Sequence, residues 1–199
     1  MDQLNNTFNP FGVFEFSCYR ADGSLRWKDT AKNAVVDDGL DDILDKYFRA
    51  GTNHAGAAVG LVTGPATLAN ADTHASHAGW TEFTSYAVNA QTDTRAIWSD
   101  TGNTAGTGVV DPGPAASQQL VNPSLLDFDI SGAGTVAGSF LVMGVLGAPG
   151  SVGATEANLK GSTSATPLLW AHALFTGGDQ VVGGGDILRV TYRVTAARP

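Results

Sequence analysis

Early in the chain, apolar and polar residues alternate. Over residues 13–20, Phe14, Phe16 and Cys18 fall on one side and Glu15 and Ser17 on the other, the period of a half-buried strand. Asp22-Gly23 is a turn signal, and Leu25 and Trp27 open a second run, so residues 13–36 predict a β-hairpin. The period then changes. Leu40, Ile43, Leu44, Tyr47 and Phe48 recur at i, i+3, i+4, i+7 and i+8, a single stripe at helical spacing. One amphipathic α-helix is predicted over about 38–50, with Asp37 or Asp38 as N-cap and Gly51 as the stop. Burying the five stripe side chains contributes roughly 1.5–3 kcal/mol each, whereas ordering the backbone costs ~1–2 kcal/mol per residue. The helix is therefore expected to dock its stripe on a sheet.

Short β-like runs follow, separated by Gly, Pro, Asn and Asp, at 57–62, 81–88, 94–98, 125–130, 139–145, 168–175 and 187–194. In the last of these, Leu188, Val190, Tyr192 and Val194 face one way and Arg189, Thr191 and Arg193 the other. With the hairpin, the pattern predicts a mainly β fold, a β-sandwich of jelly-roll type carrying the one helix. Residues 1–12 are polar and rich in Asn, with Pro10 interrupting them and Phe8 and Phe11 as isolated anchors, and are expected to form an extended N-terminal arm. That leaves 13–199 as a single domain, in keeping with the length. Residues 101–122 and 147–166 lack a period and read as long loops, both candidate contact surfaces.

Composition narrows the classes. With 25 glycines, 43% hydrophobic and only 15% charged residues, the chain is turn-rich and should fold. Its net charge of −8 comes from 11 Lys+Arg against 19 Asp+Glu, with no basic cluster to neutralise phosphates, which argues against a nucleic-acid partner. No apolar stretch reaches the ~18 residues of a membrane span, and MDQLNNTFNPFG lacks the basic start and apolar run of a secretory signal. Cys18 is the only cysteine, so an intrachain disulfide and a thiolate cage are excluded. Among Phe14, Phe16 and Tyr19 it should be a buried, inert thiol.

The densest set of potential ligands is DDGLDDILD, five aspartates in nine positions. An EF-hand needs oxygen ligands at positions 1, 3, 5 and 12 with Gly at 6, and no register supplies them. Helix chemistry explains the acids instead: early aspartates suit the positive end of the dipole, and Asp42 with Lys46 and Asp45 with Arg49 are i, i+4 pairs. In DTHASHAGW, Asp72, His74 and His77 are weak candidates for a divalent metal. The segment reads as a loop entering a strand, so structural or surface histidines are expected and no metal or cofactor is assigned. His172 in LLWAHALF should be a hydrogen-bonded strand histidine. SGAGTVAG lacks the Lys-Ser/Thr ending of a phosphate loop and reads as a turn. GGDQVVGGGD occurs once and reads as a hairpin turn. There is no Gly-x-Ser-x-Gly elbow, and Asp127 with Asp129 sit at strand period on one solvated face. No catalytic constellation emerges, and the expectation is a protein that is not an enzyme. Trp27, Trp80, Trp98 and Trp170 are expected to be mostly core or half-buried.

Taken together, GVFEFSCYRADGSLRW, GLDDILDKYF, VGLVTG, DTHASHAGWTEFTSY and ALFTGGDQVVGGGDILRVTY resemble a group of small structural proteins of tailed bacteriophages, built from a β-hairpin, one helix and a β-sandwich. The resemblance covers most of the chain, departs in the two Gly/Pro-rich loops, and includes no catalytic signature. It implies a capsid decoration (cement) protein, made in the host cytoplasm, that sits on the outer surface of the virion and stabilises contacts between major capsid subunits. The implied partners are the major capsid protein and further copies of the chain, as a dimer or trimer, with neither nucleic acid nor membrane. Contact candidates are Phe8, Pro10 and Phe11, which could add an extended segment to a neighbouring sheet edge, and Arg189, Arg193 and Arg198, which could meet an acidic capsid surface. The alternative is a receptor- or glycan-binding module of a tail or head-fibre component, using tryptophans and the long loops.

Overall fold

The computed structural model describes residues 9–51, 57–88, 95–97, 109–112, 117–121, 125–143 and 168–197. Among these residues the chain forms β1 (Asn9–Tyr19), β2 (Leu25–Val35), α1 (Asp37–Phe48), β3 (Ala57–Thr63), β4 (Glu82–Phe83), β5 (Tyr86–Ala87), β6 (Ala96–Ile97), β7 (Val109–Pro112), β8 (Ser117–Val121), β9 (Leu126–Ile130), β10 (Gly134–Met143), β11 (Leu168–Leu174), β12 (Gln180–Val182) and β13 (Ile187–Ala197). The fold is mainly β, with two antiparallel sheets and one helix, consistent with a β-sandwich.

The front sheet runs β2-β1-β13-β8-β7, with β9 on β13 and β5 on β9; the back sheet contains β4-β3-β10-β11, with β6 on β3 and β12 on β10. Two segments cross between them. β2 pairs with β1 as far as Asn33, and then Ala34 and Val35 pair with His172 and Ala171 of β11. The predicted strand 81–88 is two short ones for the same reason: Glu82–Phe83 joins β3, and after Thr84 and Ser85 the chain continues on β9 through Tyr86–Ala87.

The front sheet alternates as the sequence predicts. Phe14, Phe16 and Cys18 of β1, Leu126, Phe128 and Ile130 of β9, and Leu188, Val190 and Tyr192 of β13 are buried in the shared core. The back sheet does not alternate, because both of its faces are covered. Val59, Leu61, Val136 and Leu141 belong to the shared core, whereas Ala58, Val62, Ala137, Phe140, Val142 and Leu169 form a second cluster with Trp80, Ala66 and Leu68. The second cluster is closed over by the segment between β3 and β4. Gly60 is required here: a Cβ on it would collide with the Phe140 ring.

The helix lies where the sequence places it, but its stripe does not dock. Gly39, whose added Cβ would strike the Trp170 carbonyl oxygen, brings the backbone against β11, and Ile43 packs on the core. Leu40, Leu44, Tyr47 and Phe48 point outward instead, with Tyr47 and Phe48 each 81% exposed. The close approach at Gly39 decides which side faces the sheet, and residues 42, 43 and 46 follow it. The N-cap is Val36 rather than an aspartate, with no side-chain cap bond. Backbone partners serve that end: Val36 N–H donates to the Trp170 carbonyl (3.1 Å) and Asp37 N–H to the Asn70 carbonyl (3.0 Å). Gly51 does close the helix, its N–H donating to the Asp45 carbonyl at 3.1 Å. Both predicted ion pairs form, Asp42–Lys46 at 2.9 Å and Asp45–Arg49 at 3.6 Å.

Three boundaries move. β1 begins at Asn9, because β13 extends to Ala197 and pairs with it, so residues 9–12 belong to the front sheet and not to an arm. β10 begins at Gly134, so only residues 131–133 of SGAGTVAG form the turn. Inside the aperiodic 101–122 stretch, β7 pairs with β8, and β8 with β13. Residues 1–8, 144–167 and 198–199 lie outside the described residues.

Candidate functional site

The residues singled out from the sequence fall in two places. Asp72, His74 and His77 lie on the segment that closes the outer side of the back sheet, where Asp72 and His77 tie the chain to itself. The Asp72 carboxylate accepts hydrogen bonds from the Ala69 N–H (2.9 Å) and the Trp80 indole N–H (3.0 Å), and lies 3.5 Å from His172 Nε2. His172 Nε2 is also 3.0 Å from the Ala69 carbonyl, so this strand histidine is held in place as expected. His77 stacks on Trp80 with ring centroids 4.0 Å apart, its Nδ1 3.1 Å from the Trp80 carbonyl. His74 is buried, and its pKa is pushed down to about 4, first by burial and then by the charge of Arg95 and by His77. An imidazole beside a guanidinium is a poor place for a cation, and no group of three or more His, Cys, Asp or Glu among the described residues is arranged to hold a metal.

A feature that sequence reasoning missed lies nearby. Glu82 and Arg95 form a two-pronged ion pair, Nε to Oε1 at 3.0 Å and Nη2 to Oε2 at 3.1 Å, with both side chains fully buried. Tyr86 donates its hydroxyl to Glu82 Oε1 at 3.2 Å, and the guanidinium carbon lies 5.2 Å from the centroid of the Phe140 ring. Burial and the Glu82 charge hold the Tyr86 phenol well above its usual range. The one available signal was a glutamate inside the strand-like run TEFTSYAV; its partner is 13 positions away.

The contact candidates are on the other side of the molecule. Phe8 and Arg198 lie outside the described residues. Pro10 pairs with Ala196, Phe11 with Thr195, Val13 with Arg193 and Ser17 with Arg189. Phe11, Arg193 and Arg189 alternate with the buried Phe14, Phe16, Val190 and Tyr192, so all three share the outward face of the front sheet. Lys28, Thr30 and Lys32 of β2 pair with Ser17, Glu15 and Val13 on the same face, and Asp127 and Asp129 of β9 flank Arg189 and Ile187. Both arginines have carboxylate partners. Arg189 makes two 2.7 Å bonds to Asp127 and lies 5.6 Å from the Tyr19 ring centroid, while Arg193 is 3.8 Å from Glu15. Exposed pairs of this kind are worth about 0–1 kcal/mol, so a partner can replace them at little cost.

Cys18 is buried at the core end of this sheet, its Sγ 3.8 Å from Asp186 Oδ2, and burial followed by the Asp186 charge pushes the thiol up to about 12. Asp186 also pairs with Arg26 and accepts from the Gly183 N–H at 2.7 Å, which shapes the turn before β13. Of the tryptophans, Trp80 and Trp170 are buried; Trp27 is half-buried against Phe175, with its indole N–H on the Val181 carbonyl at 3.1 Å. No helix among the described residues is long and apolar enough to cross a membrane. No family model matches the chain, and no curated protein matches it in sequence.

Proposed function

We propose that the chain is a capsid decoration protein of a tailed bacteriophage, which binds the outside of the assembled head and clamps neighbouring major capsid subunits without bond-breaking chemistry. The observation that supports this reading is that the resembling segments fold as a β1–β2 hairpin, one helix and a two-sheet body into which the hairpin is built, the elements the resemblance implies. A jelly-roll connection of that body and an arm formed by the residues before β1 belong to the same reading.

The outward face of the front sheet is the capsid-facing surface in this proposal. Lys28, Lys32, Arg189 and Arg193 interleave there with Glu15, Asp127 and Asp129, so a capsid surface of mixed charge can exchange partners with it pair by pair. Repeated moderate contacts to two or three subunits would raise the effective concentration enough to hold the protein in place. The glycan- or receptor-binding alternative draws less support, since the three described tryptophans are all engaged in packing.

Quantitative protein staining of purified particles tests the proposal. A decoration protein approaches the major capsid protein in copy number, and the Arg189→Glu variant reduces its retention on particles. Absence from purified heads, or a copy number typical of a tail component, overturns it.

A further inference from the structure

Among the described residues, the outward stripe of α1 is the least explained surface. Single exposed apolar side chains are ordinary, but Leu40, Leu44, Tyr47 and Phe48 form one continuous line along two turns, at 40%, 54%, 81% and 81% exposure. This is not a frayed end. The opposite side of the helix is held by Gly39 against the Trp170 carbonyl, by Ile43 on the core and by the half-buried Asp42–Lys46 pair.

We propose that α1 is a self-association element: its stripe packs on the same stripe of a second copy of this chain, with the two helices antiparallel about a two-fold axis near Leu44. Charge selects both the partner and the direction. Asp37, Asp38 and Asp41 lie toward the start of the helix, while the Arg49 guanidinium, its side chain 80% exposed, lies just beyond its end. A surface complementary to α1 therefore has an apolar line with a base at one end and acids at the other. The same helix reversed has that arrangement. In the antiparallel pair Leu40 comes level with Phe48 of the second copy, Leu44 meets its own counterpart, and Arg49 arrives between Asp37 and Asp41 of the second copy. A parallel pair sets each exposed aspartate level with its own counterpart and Arg49 level with Arg49, and the helix dipoles add to that repulsion. Five aspartates also turn the stripe away from an anionic membrane surface.

A 12-residue helix is about 18 Å long, and a stripe of that length covers less than the ~800 Å² per partner of a standard stable interface. Association is accordingly weak, with a dissociation constant on the order of 10 µM, and is carried by the aromatic pair. The inference rests on the helix and holds whether or not the chain decorates a capsid.

Sedimentation equilibrium of the full chain, over concentrations that bracket this value, tests it. The wild type is expected to show a monomer–dimer equilibrium. Leu44→Asp, which places two like charges at the axis, should weaken it about tenfold or more, as should Phe48→Ser. Arg49→Glu should weaken it too, and mixing that variant with Asp37→Arg/Asp41→Arg should restore association as a heterodimer. Thermal melts of Leu44→Asp and Phe48→Ser at low concentration should stay within a few degrees of the wild type, because Phe48 is 81% and Leu44 54% exposed and what each change costs the monomer is mainly helix propensity. A wild-type chain that stays monomeric throughout overturns the proposal, as does a dimer that both variants leave unmoved, or a monomer whose stripe binds only another macromolecule.

Discussion

Replacing Arg95 with methionine is the sharpest test of how the core is built. The substitution keeps length and apolar contact against Phe140 but removes the guanidinium from a carboxylate with no exposure to solvent. Breaking a buried pair by deleting one partner costs ~3–5 kcal/mol, because the surviving charge keeps its desolvation penalty. That is a large share of the ~5–15 kcal/mol that holds a domain folded. Urea unfolding followed by tryptophan fluorescence reads it directly. With a slope of about 2 kcal/mol per molar, the midpoint should fall by ~2 M at unchanged slope. Glu82→Gln in the same chain removes the stranded charge while leaving an acceptor for the Tyr86 hydroxyl, 3.2 Å away in the wild type, so the double variant should regain at least ~2 kcal/mol of the loss. An Arg95→Met chain that loses less than ~1 kcal/mol, or a double variant whose cost is the plain sum of the two singles, would refute the desolvated pair.

His74 is neutral when folded, with its pKa down to about 4 against an ordinary 6.5. Between those values the unfolded chain takes up a proton that the folded chain refuses, so this contribution is intact above pH 6.5 and falls away toward pH 4 by up to ~3 kcal/mol. The urea midpoint of the wild type should fall relative to that of His74→Leu as pH drops through that window, and parallel profiles would contradict the assignment. The Cys18 thiol, pushed up to about 12 by burial and Asp186, should react with a thiol reagent at pH 8 only as fast as the protein unfolds; immediate labelling of native protein would show it to be accessible. Gly39→Ala sets two effects against each other. Helix propensity alone predicts a gain of ~1 kcal/mol, whereas collision with the Trp170 carbonyl predicts a net loss of about 1–3 kcal/mol. A raised melting temperature would mean that the helix is not held against β11 as described.

What the sequence made legible was whatever depends on local period. The β1–β2 hairpin, its inward phenylalanines, the inward face of β13, the limits of α1 and its two ion pairs all follow from spacing alone. What it concealed depends on contacts between distant segments. The stripe of α1 has the same period whether it faces a sheet or solvent, and the choice is made by Gly39 meeting a carbonyl 131 positions away. The run AAVGLVT of β3 is apolar without alternation because both faces of its sheet are covered, and only the fold reveals the cover. Asp72, His74 and His77 looked like ligands because metal sites and polar ties in a closing segment draw on the same residue types; the Trp80 indole and the Ala69 amide distinguish the two. Glu82 and Arg95 carried no sequence signal as a pair, since each is an ordinary surface type until the fold removes water from both.

The two faces of the back sheet bury apolar side chains, one in the shared core and one beneath the segment that Asp72 and Trp80 pin down. Among the described residues, the front-sheet face and the helix stripe are two open surfaces of different character. The outward face of the front sheet is polar and paired, with charges that a partner can exchange at little cost; the helix stripe is apolar and gains by being covered. A protein that docks on a lattice and on its own copies, as proposed for this chain, gains from such a division. If one apolar surface served both purposes, the copies would compete with the lattice for it, whereas here occupying the sheet face leaves the stripe open. If the proposed docking and self-association both hold, the separation makes them testable independently: Arg189→Glu should weaken retention on particles and leave the dimer intact, and Leu44→Asp should weaken the dimer about tenfold or more while a single copy still docks.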